Sequence, residues 1–226
     1  SLVNQVPDSK KETLVESAYQ WIREAILDGN IQPGAKLIER ELTQTTGVSR
    51  SALREALVSL DEKGLVQREP YRGYRVTNLT KKQVQDLYEL REVVESQAAE
   101  LFALRATDSD LKDLSVAFSY LKDNIFHQDM AVVRRAKVNY YSVIYAGCKN
   151  VELERALSNL IERIFYLRGR SLLAQSRRKK SLAEFKALTD ALIRRDRKGA
   201  REITRQHLKA AKEAIVSTSF SAEPPD

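Results

Sequence analysis

Helical periodicity that is almost never interrupted, from residue 81 to residue 217, constrains this chain more than any other feature of its sequence. No proline lies in the periodic segments, and glycine interrupts them only at Gly147 and Gly169, both near segment ends. Because proline and glycine disfavour helix interiors most, this pattern favours consecutive long helices. The segments run over 81–105, 108–126, 129–149, 151–173, 181–197 and 199–217. They predict an all-α antiparallel helical bundle.

Two capping boxes are predicted at the starts of these helices. Thr80 precedes Gln83 by three positions, and Ser181 precedes Glu184 by the same spacing. In such a box the hydroxyl accepts a hydrogen bond from a first-turn amide, while the second side chain reaches back to the cap residue. The basic segment SRRKKS, residues 176–181, is accordingly expected to be a solvated loop.

The first third of the chain has shorter elements. Apolar residues recur at three- and four-residue spacings over 12–27, and Gly29 is expected to cap that helix in the left-handed conformation. A short helix from about Glu39 is closed by Gly47. Ser49 is a favourable N-cap for a third helix that ends at residue 63.

A β-hairpin pattern follows the third helix. The runs LVQRE and GYRVT flank the residues PYR, and Gly73 lies near the turn. Three helices followed by a hairpin is the element order of a winged helix-turn-helix. We therefore expect a mostly α protein, with a winged helix-turn-helix of three helices plus a β-hairpin wing over residues 10–77 and the helical bundle over 78–217.

The charge of the chain suggests a polyanionic partner but does not say where it binds. The formal net charge is +7 in 226 residues, and the isoelectric point is near 9.4. Residues 10–77 carry 11 basic and 10 acidic side chains, so most of the excess lies in the predicted bundle. A DNA-binding surface must therefore be located by geometry and not by net charge.

Several classes of protein are disfavoured by composition. The single cysteine, Cys148, excludes an internal disulfide and a cysteine-based zinc site, and it fits a reducing cytoplasm. No apolar run approaches the roughly 18 residues of a membrane span, so we expect a cytoplasmic protein with no membrane partner. The two histidines, His127 and His207, accompany no catalytic triad or phosphate-binding glycine loop, so we do not expect an enzyme.

Arg50 and Arg54 are the candidates for reading DNA bases. They lie one turn apart at the start of the predicted second helix of the helix-turn-helix, whose joint Val48 would fill. The arginine fork matches two acceptors on a guanine edge, and Arg40 on the preceding helix would contact phosphate or a flanking base. The alternative is that all three are solvated surface arginines with acidic neighbours, since the following carboxylates are close in sequence: Glu39, Glu41 and Glu55.

Longer motifs decide between these readings. The sequence contains I-x-x-G-x-I-x-P-G at 26–34, L-x-E-R-E-L at 37–42 and G-V-S-R-x-x-L-R-E-A-L at 47–57. In these motifs it resembles the DNA-binding domain of the GntR family of bacterial transcription regulators. The helical remainder, opened by DLYELREVVES, resembles the FCD effector domain of the FadR subfamily. The resemblance implies a dimer that binds palindromic double-stranded DNA operators under the control of a small molecule.

The resemblance also implies which residues contact DNA. The implied DNA contacts are Arg40, Ser49, Arg50, Ser51, Arg54 and, at the wing, Gly73. Apolar surface on the bundle is the expected dimer contact. A non-specific nucleic-acid-binding protein without effector control is the alternative, and its binding would be almost wholly electrostatic.

The effector domain departs from its family at the metal site. Many FCD domains hold a divalent metal through an Asp, a His four residues later and two further histidines. The corresponding positions here are Lys137, Tyr141, Phe185 and His207. Lysine at neutral pH offers a metal no lone pair, so we expect no metal and no cofactor.

An anionic effector is expected in place of the metal, bound by Lys137 and Arg91 with Tyr141 as a hydroxyl donor, beside Phe185 and His207. Two alternatives remain open at this point. Lys137 would instead extend to solvent along its aliphatic stem. His207 would be a partly buried histidine with both ring nitrogens satisfied and no ligand to bind.

Overall fold

The computed structural model describes residues 8–168 and 175–219. The chain divides into two compact units, one through Asn78 and one from Leu79 onward. The first unit contains, in order, α1 (Asp8–Leu27), β1 (Lys36–Leu37), α2 (Glu39–Thr46), α3 (Arg50–Glu62), β2 (Val66–Glu69) and β3 (Gly73–Val76). Three helices followed by a β-hairpin confirm the expected winged helix-turn-helix.

The predicted helix ends of this unit are present. Gly47 ends α2 with φ 70°, and its amide donates to the Thr43 carbonyl. The Ser49 side chain accepts a hydrogen bond from the Ala52 amide at 3.2 Å and begins α3. Gly29, with φ 79°, follows α1. Left-handed backbone of this kind is open to glycine at little cost, which is why these two positions end helices.

A short apolar core joins the helices of the first unit to its sheet. α1 packs against α3. The core side chains are almost fully buried and include Ile22, Ile26, Leu53, Leu57, Leu60, Leu65 and Val76. Their removal from water is the main source of this unit's stability.

The sheet has three antiparallel strands in the order β1-β3-β2. In the hairpin, Val66 pairs with Val76 and Glu69 pairs with Gly73. Strand β1 was not predicted from the sequence, since two residues are too few for an alternating pattern. Its Leu37 pairs with Tyr74 and turns a buried side chain toward the core.

The second unit consists of helices only, in the described ranges. They are α4 (Lys81–Arg105), α5 (Asp108–Asn124), α6 (Met130–Gly147), α7 (Val151–Arg168), α8 (Gln175–Ile193) and α9 (Arg197–Ser219). α4 packs along α9, and α5 packs against α6. The helical bundle is therefore confirmed, although the predicted end of the fourth segment at residue 173 lies outside the described residues. No helix in the described part of the chain combines the length and apolar character needed to cross a membrane.

One capping box is confirmed and the other is wrong. Thr80 and Gln83 make both reciprocal bonds of the box at the start of α4. Ser181, by contrast, is a buried residue inside α8, which begins at Gln175, so SRRKKS is helix and not a loop. Glu184 does not reach back to a cap, because its carboxylate accepts hydrogen bonds from Arg177 at 2.8 Å instead.

Gly147 lies where α6 packs closely against α4 in the second unit. A Cβ atom added there would lie 2.3 Å from Cε2 of the Phe102 ring. Phe102, on α4, is fully buried. A glycine near the end of α6 therefore lets the two backbones pack at a distance that a larger residue would prevent.

Candidate functional site

The helix-turn-helix presents the start of α3 to solvent. Val48 and Leu42 are buried in the joint between α2 and α3, as expected for Val48. Arg50, Ser51 and Arg54 are all exposed on the first two turns of α3. Exposed arginines at the N-terminal end of this helix have the position from which such folds contact base edges.

Arg54 has an acidic partner without losing its exposure. Its Nε atom lies 3.2 Å and 3.0 Å from the two carboxylate oxygens of Glu39 at the start of α2. The Arg54 side chain is nonetheless 66% exposed. The acidic neighbour foreseen for a solvated surface arginine is therefore present, and the guanidinium stays exposed beside it.

The remaining predicted DNA contacts of this unit differ in their hydrogen bonds within the fold. Arg40 is exposed on the first turn of α2. Ser51 Oγ lies 3.5 Å from Glu55 Oε1, a contact within α3. Ser49 is the α3 cap, and its side-chain oxygen accepts a hydrogen bond from the Ala52 amide. The candidate DNA contacts of this unit outside the wing therefore lie at the starts of α2 and α3.

The wing ends in a tight exposed turn. Gly73 has φ 85°, and no atom lies within 4 Å of where its Cβ would be. Tyr71, at the tip, has φ 62° and is fully exposed. Arg72 beside it is exposed as well. Sequence reasoning singled out Gly73 and missed these two neighbours, although a three-residue turn between paired strands was the signal that would have indicated them.

Arg75 holds the wing to the body of the unit. Its Nη1 donates to the Gly34 carbonyl oxygen at 2.6 Å, and its Nε donates to the Glu69 carboxylate at 3.1 Å. These bonds use the guanidinium within the fold. Of the arginines on the hairpin, Arg75 is therefore a structural residue.

The helical unit brings four of its five predicted site residues into one aromatic cluster. The Tyr141 hydroxyl lies 3.1 Å from His207 Nε2, and the Phe185 ring centre lies 5.0 Å from that of His207. The Tyr141 and Phe185 rings are 5.7 Å apart. Lys137 Nζ lies 5.8 Å from the centre of the Phe185 ring. Positions on α6, α8 and α9, distant in sequence, therefore meet as the family alignment implied.

Lys137 does not extend to solvent. It is 2% exposed, so the alternative in which its ammonium snorkels to the surface is wrong. A buried ammonium needs interactions that replace its hydration, and an aromatic face provides one of them. The amino group of Lys137 therefore lies in the interior of the bundle.

The residues of this cluster do not fit a metal ion. An ammonium, a phenol and a phenyl ring stand at three of the four family positions, and the one imidazole is already engaged. His207 Nδ1 lies 2.5 Å from Glu184 Oε2, and its Nε2 faces Tyr141. Across the described residues, no three His, Cys, Asp or Glu side chains are placed to hold a metal together.

Glu184 fixes the orientation of His207. Burial alone would raise the pKa of Glu184, but hydrogen bonds from His207 and Arg177 outweigh it and hold the pKa below its usual value. Both nitrogens of His207 lie within hydrogen-bond distance of a partner. The expectation of a satisfied, partly buried histidine is thus compatible with its place beside the cluster.

Arg91 is completely buried on α4. Its Nε and Nη2 atoms bind the Glu95 carboxylate at 2.6 Å and 3.3 Å, and its guanidinium lies 4.6 Å over the Tyr88 ring. Burial on its own lowers the pKa of Arg91, yet attraction to Glu95, Tyr88 and Tyr141 raises it above the usual value. The sequence pointed to Arg91 but not to its neighbours Tyr88 and Glu95.

Comparison with known families matches both units. The family described as bacterial regulatory proteins, gntR family, matches residues 14–76. The FCD domain matches residues 86–210. Among curated relatives, the HTH-type transcriptional repressor GlaR of Escherichia coli K12 is 28% identical over 200 residues, which cover 84% of this chain and 90% of GlaR. The Uxu operon transcriptional regulator of the same strain is 27% identical over 234 residues, covering 93% of this chain and 91% of that protein.

Solved structures share the fold. The transcriptional regulator GntR from Rhodococcus sp. RHA1 has a TM-score of 0.77 at 22% identity, covering 93% of this chain and 99% of that one. E. coli McbR/YncC also has a TM-score of 0.77, at 20% identity, covering 91% of this chain and 98% of that one.

Proposed function

Because the chain belongs to the GntR family of bacterial regulatory proteins and carries an FCD domain, we propose that it is a sequence-specific DNA-binding transcription regulator controlled by a small anionic metabolite. Residues 10–77 bind the operator, and residues 78–217 bind the effector and form the dimer. Its relatives are named as transcriptional regulators and not as enzymes. We place it in the cytoplasm, where its DNA and metabolites are.

The exposed start of α3 is the observation that carries the DNA-binding proposal. Arg50 and Arg54 enter the major groove, with Arg40, Ser49 and Ser51 on phosphates or flanking bases. The wing approaches the minor groove around Gly73. Base discrimination by each arginine fork is worth about 1–3 kcal/mol, while phosphate contacts add affinity without sequence preference.

The buried Lys137 ammonium carries the effector proposal. A positive charge inside a bundle, among Tyr141, Phe185 and His207, attracts a carboxylate more strongly than a surface lysine does, because water screens it less. Arg91 contributes a guanidinium donor from α4. The effector changes operator affinity to the extent that it prefers one arrangement of the protein over another.

A second copy of this chain is the remaining proposed partner. One recognition helix contacts too few base pairs to select a single genomic site, so two copies on a palindromic operator are required. Apolar side chains on one face of α4 remain exposed for a contact between copies: Leu90, Val93 and Leu104.

Selection of bound fragments from a genomic DNA library tests the DNA-binding proposal. We expect a shared palindromic motif, and binding to it that survives excess unrelated DNA. Added salt should remove a smaller fraction of the binding free energy for the motif than for unrelated DNA. The reason is that base contacts, unlike phosphate contacts, release no counterions. Binding without a common motif, with equal affinity for unrelated DNA, would establish the non-specific alternative.

A Lys137→Met variant tests the effector proposal. Methionine keeps the length and apolar stem of the side chain but removes the charge. The affinity for the selected operator is measured with and without each of a panel of small carboxylates. We expect a carboxylate that changes the affinity of the parent to leave that of Lys137→Met unchanged. Lys209→Met, at an exposed position of α9, is the control and should respond as the parent does. A Lys137→Met protein with the parent's response would exclude Lys137 from effector binding.

A further inference from the structure

Two buried polar atoms of the helical unit have no hydrogen-bond partner. They are the Tyr88 hydroxyl oxygen and Arg91 Nη1, and among the side chains that the structure describes they alone have this property. Tyr88 is 2% exposed and Arg91 is completely buried. Folded proteins pair nearly all buried donors, since an unpaired one loses its hydration and gains nothing in return. Two unpaired groups on neighbouring turns therefore indicate a place for an acceptor from another molecule.

The two groups form one site. Tyr88 and Arg91 leave α4 three residues apart, and the guanidinium carbon lies 4.6 Å from the Tyr88 ring centre. Arg91 is one of the residues proposed to bind the effector, and Tyr88 stacks against its guanidinium. Tyr88 therefore adds a second donor beside a residue of the proposed effector site.

Charge restricts what the pair accepts. Glu95 already binds two nitrogens of Arg91, so the guanidinium can offer Nη1 but has part of its charge balanced. An arginine bridging two carboxylates is electrostatically tolerable, whereas a dianion beside Glu95 would bring an extra negative charge into a buried site. A singly charged carboxylate fits these donors, and a phosphate does not.

We propose that Tyr88 and Arg91 together bind the carboxylate of a monocarboxylate effector, with the Tyr88 hydroxyl donating to one oxygen and Arg91 Nη1 to the same group. This inference rests on the proposed effector function and adds Tyr88 and the class of ligand to it. Tyr88 is then a ligand contact and not a residue of the apolar core alone.

Removal of the Tyr88 hydroxyl tests its role. The full-length parent and Tyr88→Phe are unfolded thermally in sodium acetate, with sodium chloride holding the ionic strength constant. We expect acetate to raise the unfolding midpoint of the parent with saturation, and its apparent dissociation constant to rise about tenfold in Tyr88→Phe, the loss expected for one hydrogen bond. Inorganic phosphate at equal ionic strength should stabilise the parent no more than chloride does.

The anion-free midpoint provides a second measurement. An unpaired buried hydroxyl costs stability, so Tyr88→Phe should unfold at the parent's temperature or above it. Tyr140→Phe is the matched control, because the Tyr140 hydroxyl is buried but lies 2.8 Å from Thr189 Oγ1, and its loss should lower the midpoint. A midpoint for Tyr88→Phe as low as that of Tyr140→Phe would overturn the inference.

The outcomes separate this inference from the effector proposal itself. Acetate stabilisation that is lost in Lys137→Met but unchanged in Tyr88→Phe keeps the effector site and removes Tyr88 from it. Stabilisation by phosphate equal to that by acetate overturns the monocarboxylate class. A parent that acetate does not stabilise overturns both, whereas DNA binding by α3 is judged separately by the selected operator.

Discussion

Arg54 combines an ion pair with high exposure, and these two properties lead to different expectations for stability and for DNA binding. The pair with Glu39 is at the surface, where such contacts contribute about 0–1 kcal/mol. The fold should therefore not depend on it. A base contact by the same guanidinium would be worth more, because its loss leaves an acceptor on the base unpaired.

We accordingly expect Arg54→Ala to weaken operator binding by about 1–3 kcal/mol per copy while leaving the unfolding midpoint nearly unchanged. Binding to the selected operator and thermal unfolding are the two measurements. Arg155→Ala is the control, since Arg155 is an exposed arginine of the helical unit that also has an acidic partner, Glu152. Arg50→Ala should behave as Arg54→Ala does, at a neighbouring base. Equal affinity and sequence preference in parent and Arg54→Ala would remove Arg54 from base recognition.

Glu184 should make the free energy of unfolding depend on pH in the acidic range. Its pKa in the folded chain lies below the usual value of 4.5, so the carboxylate stabilises the fold at any pH above that value. The contribution is lost as pH falls from 4.5 through the folded pKa. Hydrogen bonds to a charged group of this kind contribute about 1.5–3 kcal/mol.

Urea unfolding of Glu184→Gln at neutral and acidic pH checks this expectation. The variant should be less stable than the parent at pH 7, and the difference should shrink as the parent's carboxylate is protonated. Glu152→Gln removes a carboxylate that is 80% exposed and should follow the parent at both pH values. A constant difference between Glu184→Gln and the parent across this range would contradict the assignment.

The sequence predicted the position of a candidate residue where a local pattern or a family motif defined it. Arg50 and Arg54 lie exposed at the start of α3, and Lys137 lies near Phe185, while their contacts with DNA and effector stay predictions. Tyr88 was not predicted, because nothing in the sequence around it tells whether a buried hydroxyl finds a partner. That depends on side chains brought in from helices far along the chain.

At the scale of helices and strands, most boundaries followed from capping chemistry. Thr80 and Gln83 begin α4 as predicted, because both bonds of the box lie within four residues. The same pattern at Ser181 and Glu184 failed, since other side chains bind the carboxylate: Arg177 of the same helix and His207 of α9. Strand β1 escaped prediction for a related reason, as its two residues gain their strand character only by pairing with β3.

Substitution of Gly147 tests the packing of α6 against α4. Alanine there would gain up to about 1 kcal/mol in helix propensity, but its methyl group would meet the Phe102 ring, and overpacking of this kind costs about 1–3 kcal/mol. We expect Gly147→Ala to lower the free energy of unfolding. Ala146→Gly, at the exposed neighbouring position, should show the propensity effect alone.

A double variant isolates the contact itself. In a Phe102→Leu background the ring is gone, so the cost of Gly147→Ala should be smaller than in the parent. Denaturant unfolding of the four proteins gives the coupling energy between the two positions. Strictly additive effects would mean that Gly147 is not needed for the approach of α6 to α4.

For the whole molecule, patterns in the sequence predicted the order of the two units, whereas the association of copies was implied only by the family resemblance. Periodicity and motifs within one chain specify the winged helix-turn-helix and the bundle. Contacts between copies leave no such pattern, because an apolar side chain on a helix surface looks the same in sequence whether a second chain covers it or not.

We expect a homodimer at micromolar concentration. Sedimentation of the free protein should give twice the mass of one chain, and titration of the selected operator should saturate at two chains per DNA duplex. Each copy then supplies one α3 to one half-site of the palindrome. Sedimentation as a monomer both with and without the operator would contradict the dimer and, with it, the palindromic site.

The ion pair between Arg54 and Glu39 has a consequence for the time the protein spends on the wrong DNA. In the proposed complex with DNA, Arg54 would gain a phosphate of a random sequence only by leaving the Glu39 carboxylate, so we expect this exchange to return little free energy. We therefore expect short stays on random sites, from which the protein slides and hops to the next one. Long residence is expected only at the operator, where the guanidinium would exchange Glu39 for a base edge.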